Sequence, residues 1–243
     1  MDGLILHKGS KEATLAEVLA VPVPEATDTY KPVSYGLAID FLRAAIGEQL
    51  QMPIKKERYG LNTEGKQLFA MMVLDTGDEA FGLSIGLRQS YNKSLALGVA
   101  VGANVFVCDN LAFSGDAFRV VRKNTVFVWR DFQVLVADQV KKSLGHFDGM
   151  KADIEAMRET PCSERNGFAW LGVAVGQDLL TPHQASVAFE DWKKPRYDDF
   201  SPRTIWSLYN CITEGLKKGP AGLMIDRHVG AHSFMMDIVR GQA

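Results

Sequence analysis

Between Leu95 and Val107 the chain alternates in a way that few folds accommodate. Leu95, Leu97, Val99, Val101, Val105 and Val107 are bulky, while the intervening Ala96, Gly98, Ala100 and Gly102 are very small. Period-two alternation is the signature of a strand, and glycine inside a strand marks a place where another backbone, a helix or a ligand approaches closely. A strand of this kind requires a sheet with one smooth face. The run spans 15 uncharged residues from Ser94 to Cys108 and is broken by glycine, too short for a membrane span.

The segments around it supply the rest of the sheet. LFAMMVLD, ending at Asp75, reads as a buried strand followed by a turn. FGLSIGLRQS alternates, with Leu83, Ile85 and Leu87 on one face, and YNKS (91–94) makes a polar hairpin connection. After Val128 the period changes. Val128, Phe132, Leu135, Val136 and Val140 fall at helical spacing, predicting a helix to about Leu144 that Gly145 and Gly149 break. Residues 150–176 read as one or two further helices. Thr181-Pro182-His183-Gln184 is a capping box with proline at the first helical position. Ser201-Pro202 repeats the cap-plus-proline signal before a helix lined by Ile205, Leu208, Tyr209, Ile212 and Leu216, with Trp206, Asn210 and Thr213 as a neighbouring, partly polar stripe. Ser34 caps a helix over about 35–50 with Leu37, Phe41, Leu42 and Ala45 on one side. The predicted class is α+β: a central antiparallel sheet of hairpins with flanking helices and a helical carboxyl-terminal half.

Residues 1–33 read as an extended arm with a short helix around Ala13–Leu19. Pro22, Pro24 and Pro32 favour extended backbone, and Tyr30 and Val33 are its expected anchors. Residues 34–243 read as one domain, β-rich over 54–128 and helical over 129–243; two intertwined lobes are the alternative for 243 residues. A chain that is 47% hydrophobic and 23% charged has the makings of a core, which excludes wholesale disorder. Three widely spaced cysteines form neither a disulfide framework nor a zinc site. With no basic-then-apolar leader, a cytoplasmic protein is expected, away from membranes.

No phosphate-loop or dinucleotide fingerprint occurs, and no cofactor is expected. His228 and His232, flanked by Asp226 and Asp237, have metal-ligand spacing, but Gly230 between them and the lack of an HExxH glutamate argue against a metal. Cys211, in the middle of a helix, reads as a core thiol. The net charge of −2 removes any whole-chain basic signal, yet Arg119–Lys142 carries six cations against two acids. Arg119, Arg122, Lys123 and Arg130, extended by Arg88 and Lys93 at the hairpin, are the candidate nucleic-acid-binding residues, with Tyr91, Phe113 and Trp129 as stacking surfaces. Cations tracking a backbone beside aromatics suit single-stranded nucleic acid. Asp109 and Asn110 are expected to organise the turn after VFVCDN through side-chain-to-backbone hydrogen bonds, with Thr125 part of the same polar set.

Six segments carry a resemblance: PEATDTYKPV (24–33), RQSYNKS (88–94), VFVCDNLAFSGD (105–116) with RKNT (122–125), W-x-x-P (192–195) and SPRTIWSLYNCITE (201–214). Together they resemble the phage/plasmid-like protein family, a domain of unknown function carried by phages, prophages and conjugative elements. The resemblance implies a mobile-element origin and no established activity. Histidine often stands in that family where this chain has Tyr91 and Asn124, so a mechanism built on those histidines does not operate here. Three readings follow. The first is a non-enzymatic binder of single-stranded nucleic acid in recombination or replication. The second is an enzyme of nucleic-acid or nucleotide metabolism using Asp109, Asn110, Arg119, Arg122 and Thr125. The third is a surface that binds a host protein to antagonise defence. A homo-oligomer is compatible with all three.

Overall fold

The computed structural model describes residues 10–62, 64–77, 81–105, 110–112, 119–217, 219 and 221–241, with backbone alone at 81, 103–105, 110–112, 119–122 and 221–225. In chain order the elements are β1 (Ser10–Ala13), α1 (Leu15–Leu19), α2 (Tyr35–Leu50), β2 (Ile54–Asn62), β3 (Gln67–Leu74), β4 (Phe81–Ser90), β5 (Leu97–Val105), β6 (Asn110–Ala112), β7 (Arg119–Arg122), α3 (Val128–Glu159), α4 (Glu164–Gly176), α5 (Pro182–Lys193), a 3₁₀ turn (Asp198–Phe200), α6 (Ile205–Leu216) and α7 (Ala221–Val239). This is an α+β protein, with most of its helices in the carboxyl-terminal half. Its described residues cluster into two compact units interleaved in sequence: one within 10–102 and 119–146, the other within 103–112 and 147–241.

The first unit is built on the strands β1-β2-β3-β4-β5, with β7 paired antiparallel to β5. β3 is buried along almost its whole length, as the uninterrupted LFAMMVL run requires. In β4 the predicted face of Leu83, Ile85 and Leu87 is buried, and Ser84 on the opposite face is buried as well, so both sides of the strand are covered. α2 begins at the expected cap, where the Ser34 hydroxyl accepts the amide of Leu37 at 3.1 Å. Its buried face is Ala38, Ile39, Leu42, Ala45 and Ile46. Leu37, expected inside, is exposed, because the buried stripe is rotated by about one residue from the predicted one. Phe41 meets Trp129 edge-on, with ring centroids 5.4 Å apart, and so ties α2 to the start of α3.

β1 is a strand that the sequence reading missed. Four residues are too few to show a period, and it forms by pairing with β2, Ser10 opposite Asn62. The predicted arm helix is shorter than expected, Leu15–Leu19, and opens on a capping box between Thr14 and Glu17.

The expected break at Gly145 and Gly149 does not occur; α3 runs 32 residues through both. Glycine in a helix interior costs about 1 kcal/mol relative to alanine. That cost is outweighed by the apolar stripe that continues beyond it, Phe147, Met150, Ile154 and Met157, all buried.

The second unit holds the antiparallel pair formed by the end of β5 with β6, Val105 opposite Asn110, and the helices α4 to α7. α5 starts on the predicted Thr181–Gln184 capping box. α6 starts later than Ser201-Pro202 suggests. Its cap is Thr204, whose hydroxyl accepts the amide of Ser207 at 3.2 Å, while Pro202 lies before the helix and its carbonyl accepts from the Ser207 hydroxyl. α6 is buried on every side from Ile205 to Thr213, so both predicted stripes are inside. The polar one is satisfied within the helix, Asn210 donating to the carbonyl of Trp206 at 2.9 Å and Thr213 to that of Asn210 at 3.1 Å. Close packing against α5 needs Gly215, since a Cβ there would lie 2.6 Å from the Gln184 carbonyl oxygen.

A Cβ on Gly145 or on Gly149 would meet nothing within 4 Å. Replacing either by alanine is therefore expected to stabilise the protein by about 0.5–1 kcal/mol, read as a raised denaturation midpoint. A lowered midpoint would show that α3 needs the flexibility of glycine there.

Candidate functional site

Three loops of the first unit meet around an open groove of about 470 Å³, lined by Thr29, Tyr30, Lys93, Ser94, Leu95, Ala96, Lys123, Asn124 and Thr125. The β4–β5 connection forms one wall and is held tightly. The Ser90 hydroxyl donates to the Leu95 carbonyl at 2.9 Å and accepts the Leu95 amide at 2.8 Å, closing the turn across its base. Inside it, the Asn92 side-chain oxygen accepts from the Ser94 amide at 3.1 Å, an Asx turn. Lys93 sits between them with φ 63°, the left-handed region that a non-glycine residue occupies only at some cost.

The second wall is the turn from β7 into α3. The Thr125 amide donates to the Lys123 carbonyl at 2.7 Å and the Val128 amide to the Thr125 carbonyl at 3.1 Å. The arm is the third wall. Its Lys31 amide donates to the Asn124 carbonyl at 3.0 Å, joining arm and turn through backbone. The arm itself is anchored by Tyr30 and Val33, both buried as expected. Tyr30 donates its hydroxyl to the Tyr91 carbonyl at 3.2 Å, Tyr91 accepts the Tyr35 amide on its own hydroxyl at 2.9 Å, and Tyr35 donates to the Gly65 carbonyl at 3.2 Å. The rings of Tyr35 and Tyr91 stack at 3.9 Å, 2° from parallel. Gln89 donates to the Val33 carbonyl and completes the seam.

Among the described residues, the groove lining carries two ammonium groups and no carboxylate. Lys93 lies over the Tyr30 ring, 4.7 Å from its centroid, an attraction that steadies the ammonium without neutralising it. Hydroxyls of Thr29, Ser94 and Thr125 are on the same lining. Such a surface attracts and hydrogen-bonds an anion.

Lys93, Lys123 and Thr125, predicted from separate segments, are thus brought together. Arg122 and Arg119 lie in β7 opposite Leu97 and Ala100, with Arg122 immediately before the groove lysine; their side chains are outside the described residues. Arg88 pairs across the sheet with Phe69 and is half-buried. Arg130 is exposed, 4.9 Å from the Phe127 ring centroid and 3.5 Å from Asp131. Asp109, Cys108 and Phe113 lie outside the described residues, and Asn110 opens β6 in the other unit. Two expected stacking surfaces are corrected: Tyr91 is buried against Tyr35, and Trp129 is packed against Phe41 and Phe132. Tyr91 is buried where the end of the sheet meets α2, and Trp129 is half-buried between α2 and the start of α3. Thr29 and Ser94 were not singled out beforehand, and Asn124 only as a position where the resembled family often has histidine; single polar residues in loops carry no periodic signal.

The second unit uses its polar residues differently. Arg203 lies over the Trp192 ring at 4.5 Å and donates to the Trp192 carbonyl. The Trp192 indole donates to the Glu164 carbonyl at 3.0 Å, and a Cβ on Gly167 would run into the indole. W-x-x-P and SPRTIWSLYN are therefore a packing latch. His232 approaches Asp153 at 2.9 Å, and the described residues contain no group of three metal-ligating side chains. Cys211 is buried in α6, which pushes its thiol far above the ordinary cysteine range and makes it inert as a nucleophile. No described helix is long and apolar enough to cross a membrane.

Residues 25–233 match the family model described as a domain of unknown function, DUF932. The match spans both units, and the chain belongs to that family. No curated protein and no solved structure matches the chain.

Burial raises the phenol pKa of Tyr30, Tyr35 and Tyr91, and Tyr59, buried beside Glu57, is pushed up to about 12. Unfolded tyrosines ionise near pH 10, so above that pH the unfolded chain binds fewer protons than the folded one. Stability from these groups is therefore complete below about pH 10 and is lost as pH rises toward 12 and beyond. Denaturant midpoints measured from pH 8 upward should fall steeply only past pH 10; Tyr91→Phe should abolish part of the fall.

Proposed function

We propose that this protein is a non-enzymatic binder of single-stranded nucleic acid that serves recombination or replication of a phage or plasmid, and that the Lys93–Lys123 groove holds the phosphate backbone. One observation carries the reading. Three of the segments that bear the family resemblance, TDTYKPV, YNKS and RKNT, supply all three walls of the groove. The W-x-x-P and SPRTIWSLYN segments are accounted for by packing, whereas Lys93, exposed on a left-handed turn, and the exposed Lys123 contribute little to a core. Exposed polar residues held in strained loops are spent on recognition more readily than on stability.

Supporting this, the groove is open, has no acidic residue among its described lining and lies beside β7, whose Arg119 and Arg122 extend the basic stretch. The resemblance to phage- and plasmid-borne proteins supplies the setting. Asn124, one of the two positions where histidine often stands in that family, lines the groove, and Tyr91, the other, holds Tyr30 in place. No step of chemistry is needed for such a role.

The test is binding of labelled single-stranded DNA and RNA across a salt series. For single strands log K falls with log[salt] by about 0.7 per phosphate neutralised. The Lys93→Gln/Lys123→Gln double variant is expected to weaken binding to all sequences alike and to flatten the slope by about 1.4 units. Its melting should barely move, because exposed charges contribute little to folding. Absence of any salt-sensitive binding by the wild-type protein at micromolar concentration would overturn the proposal.

A further inference from the structure

We infer that Phe127, backed by Arg130, is a stacking platform for a base of the strand whose phosphates occupy the groove; this rests on the groove reading above and gives the bound strand a direction of travel. Two neighbouring apolar side chains, Val126 at 56% and Phe127 at 59% exposure, sit in the turn that leaves the groove at Thr125 and enters α3. A ring held this far into water gains little from burial. It is nonetheless held in place, since the Arg130 guanidinium lies 4.9 Å from the Phe127 centroid.

The position suits a base. Phe127 follows Lys123 by four residues, so their Cα atoms are at most about 14 Å apart, roughly four stacked nucleotides at ~3.4 Å per strand. The Val128 amide bonds back to the Thr125 carbonyl, which folds the turn and brings the ring closer than that limit. Aromatic rings and guanidinium planes are the two surfaces on which unpaired bases stack, and stacking is tolerant of sequence. Charge complementarity favours this occupant over an apolar protein segment: Arg130 lies over the ring and the groove's Lys123 precedes it by four residues, with Asp131, 3.5 Å from Arg130, the carboxylate beside it. Phosphate in the groove and a base on Phe127 distinguish a nucleic acid from any other polyanion, which the groove lysines alone do not.

The test compares an oligothymidylate, an abasic oligonucleotide of the same length and inorganic polyphosphate, titrated into wild type, Phe127→Ala and Phe127→Trp by fluorescence anisotropy or competition. Stacking is worth about 1–3 kcal/mol per base, so Phe127→Ala is expected to weaken oligothymidylate binding about 5- to 150-fold. Phe127→Trp should restore it. Abasic strand and polyphosphate should bind all three proteins equally. If Phe127→Ala leaves oligothymidylate affinity unchanged while the groove lysines still matter, the platform is wrong and the groove stands. Equal losses for polyphosphate and oligothymidylate would make Phe127 a structural residue and also overturn the platform. If wild type binds none of the three, the groove reading falls and takes the platform with it.

Discussion

The parallel stack of Tyr35 on Tyr91, with the Tyr35 amide bonded to the Tyr91 hydroxyl, is the contact on which the groove depends. Tyr91 directly follows β4, and Tyr35 begins α2. Joining them sets where the arm must run, because Tyr30 reaches the Tyr91 carbonyl and Val33 is held by Gln89. Once the arm is seated, its Lys31 amide bonds the turn that precedes α3. A buried aromatic pair contributes about 0.5–1.5 kcal/mol beyond the area it covers. Here the hydrogen bonds on both rings add direction, since a buried hydroxyl left unsatisfied would cost about 1–3 kcal/mol. Local propensity alone does not bring these three loops together.

Two sets of motif residues are treated in opposite ways. In the second unit, Arg203, Trp192, Asn210 and Thr213 turn inward and bond to backbone, and what looks like a motif is a means of packing one helix between others. In the first, Lys93 and Lys123 face open space across the groove, with Tyr30 steadying one of them. Motif residues that satisfy their neighbours explain themselves. Exposed cations with no carboxylate partner among the described residues are the ones for which a ligand must be sought.

Much of this was legible in the sequence where one strong local rule applied. The Ser34 cap, the Thr181–Gln184 box and the 67–74 strand each combine a cap or a long apolar run with few competing readings, and each is where it was expected. Reading failed where long-range packing overrode a local signal. Gly145 and Gly149 look like stops, but the Phe147–Met157 stripe carries α3 through them. Pro202 looks like a helix start, but Thr204 has the better-placed hydroxyl. Ring exposure was the poorest guide. Tyr91 and Trp129 read as surface aromatics and are packed, whereas Phe127, not singled out, stands in solvent. Periodicity says which residues share a face, not whether another element covers it. Of the site itself, the cations Lys93 and Lys123 were visible as charge, but their convergence depends on the arm, which no local pattern encodes.

Amide hydrogen exchange in the presence and absence of saturating single-stranded DNA tests the account at its centre, because it reports location without assuming which residues matter. Added protection should appear together in three separate stretches, around Thr29–Lys31, Asn92–Leu95 and Lys123–Phe127, and leave α6 unchanged. Protection confined to the second unit, or none in those three stretches while the DNA is bound, would contradict it.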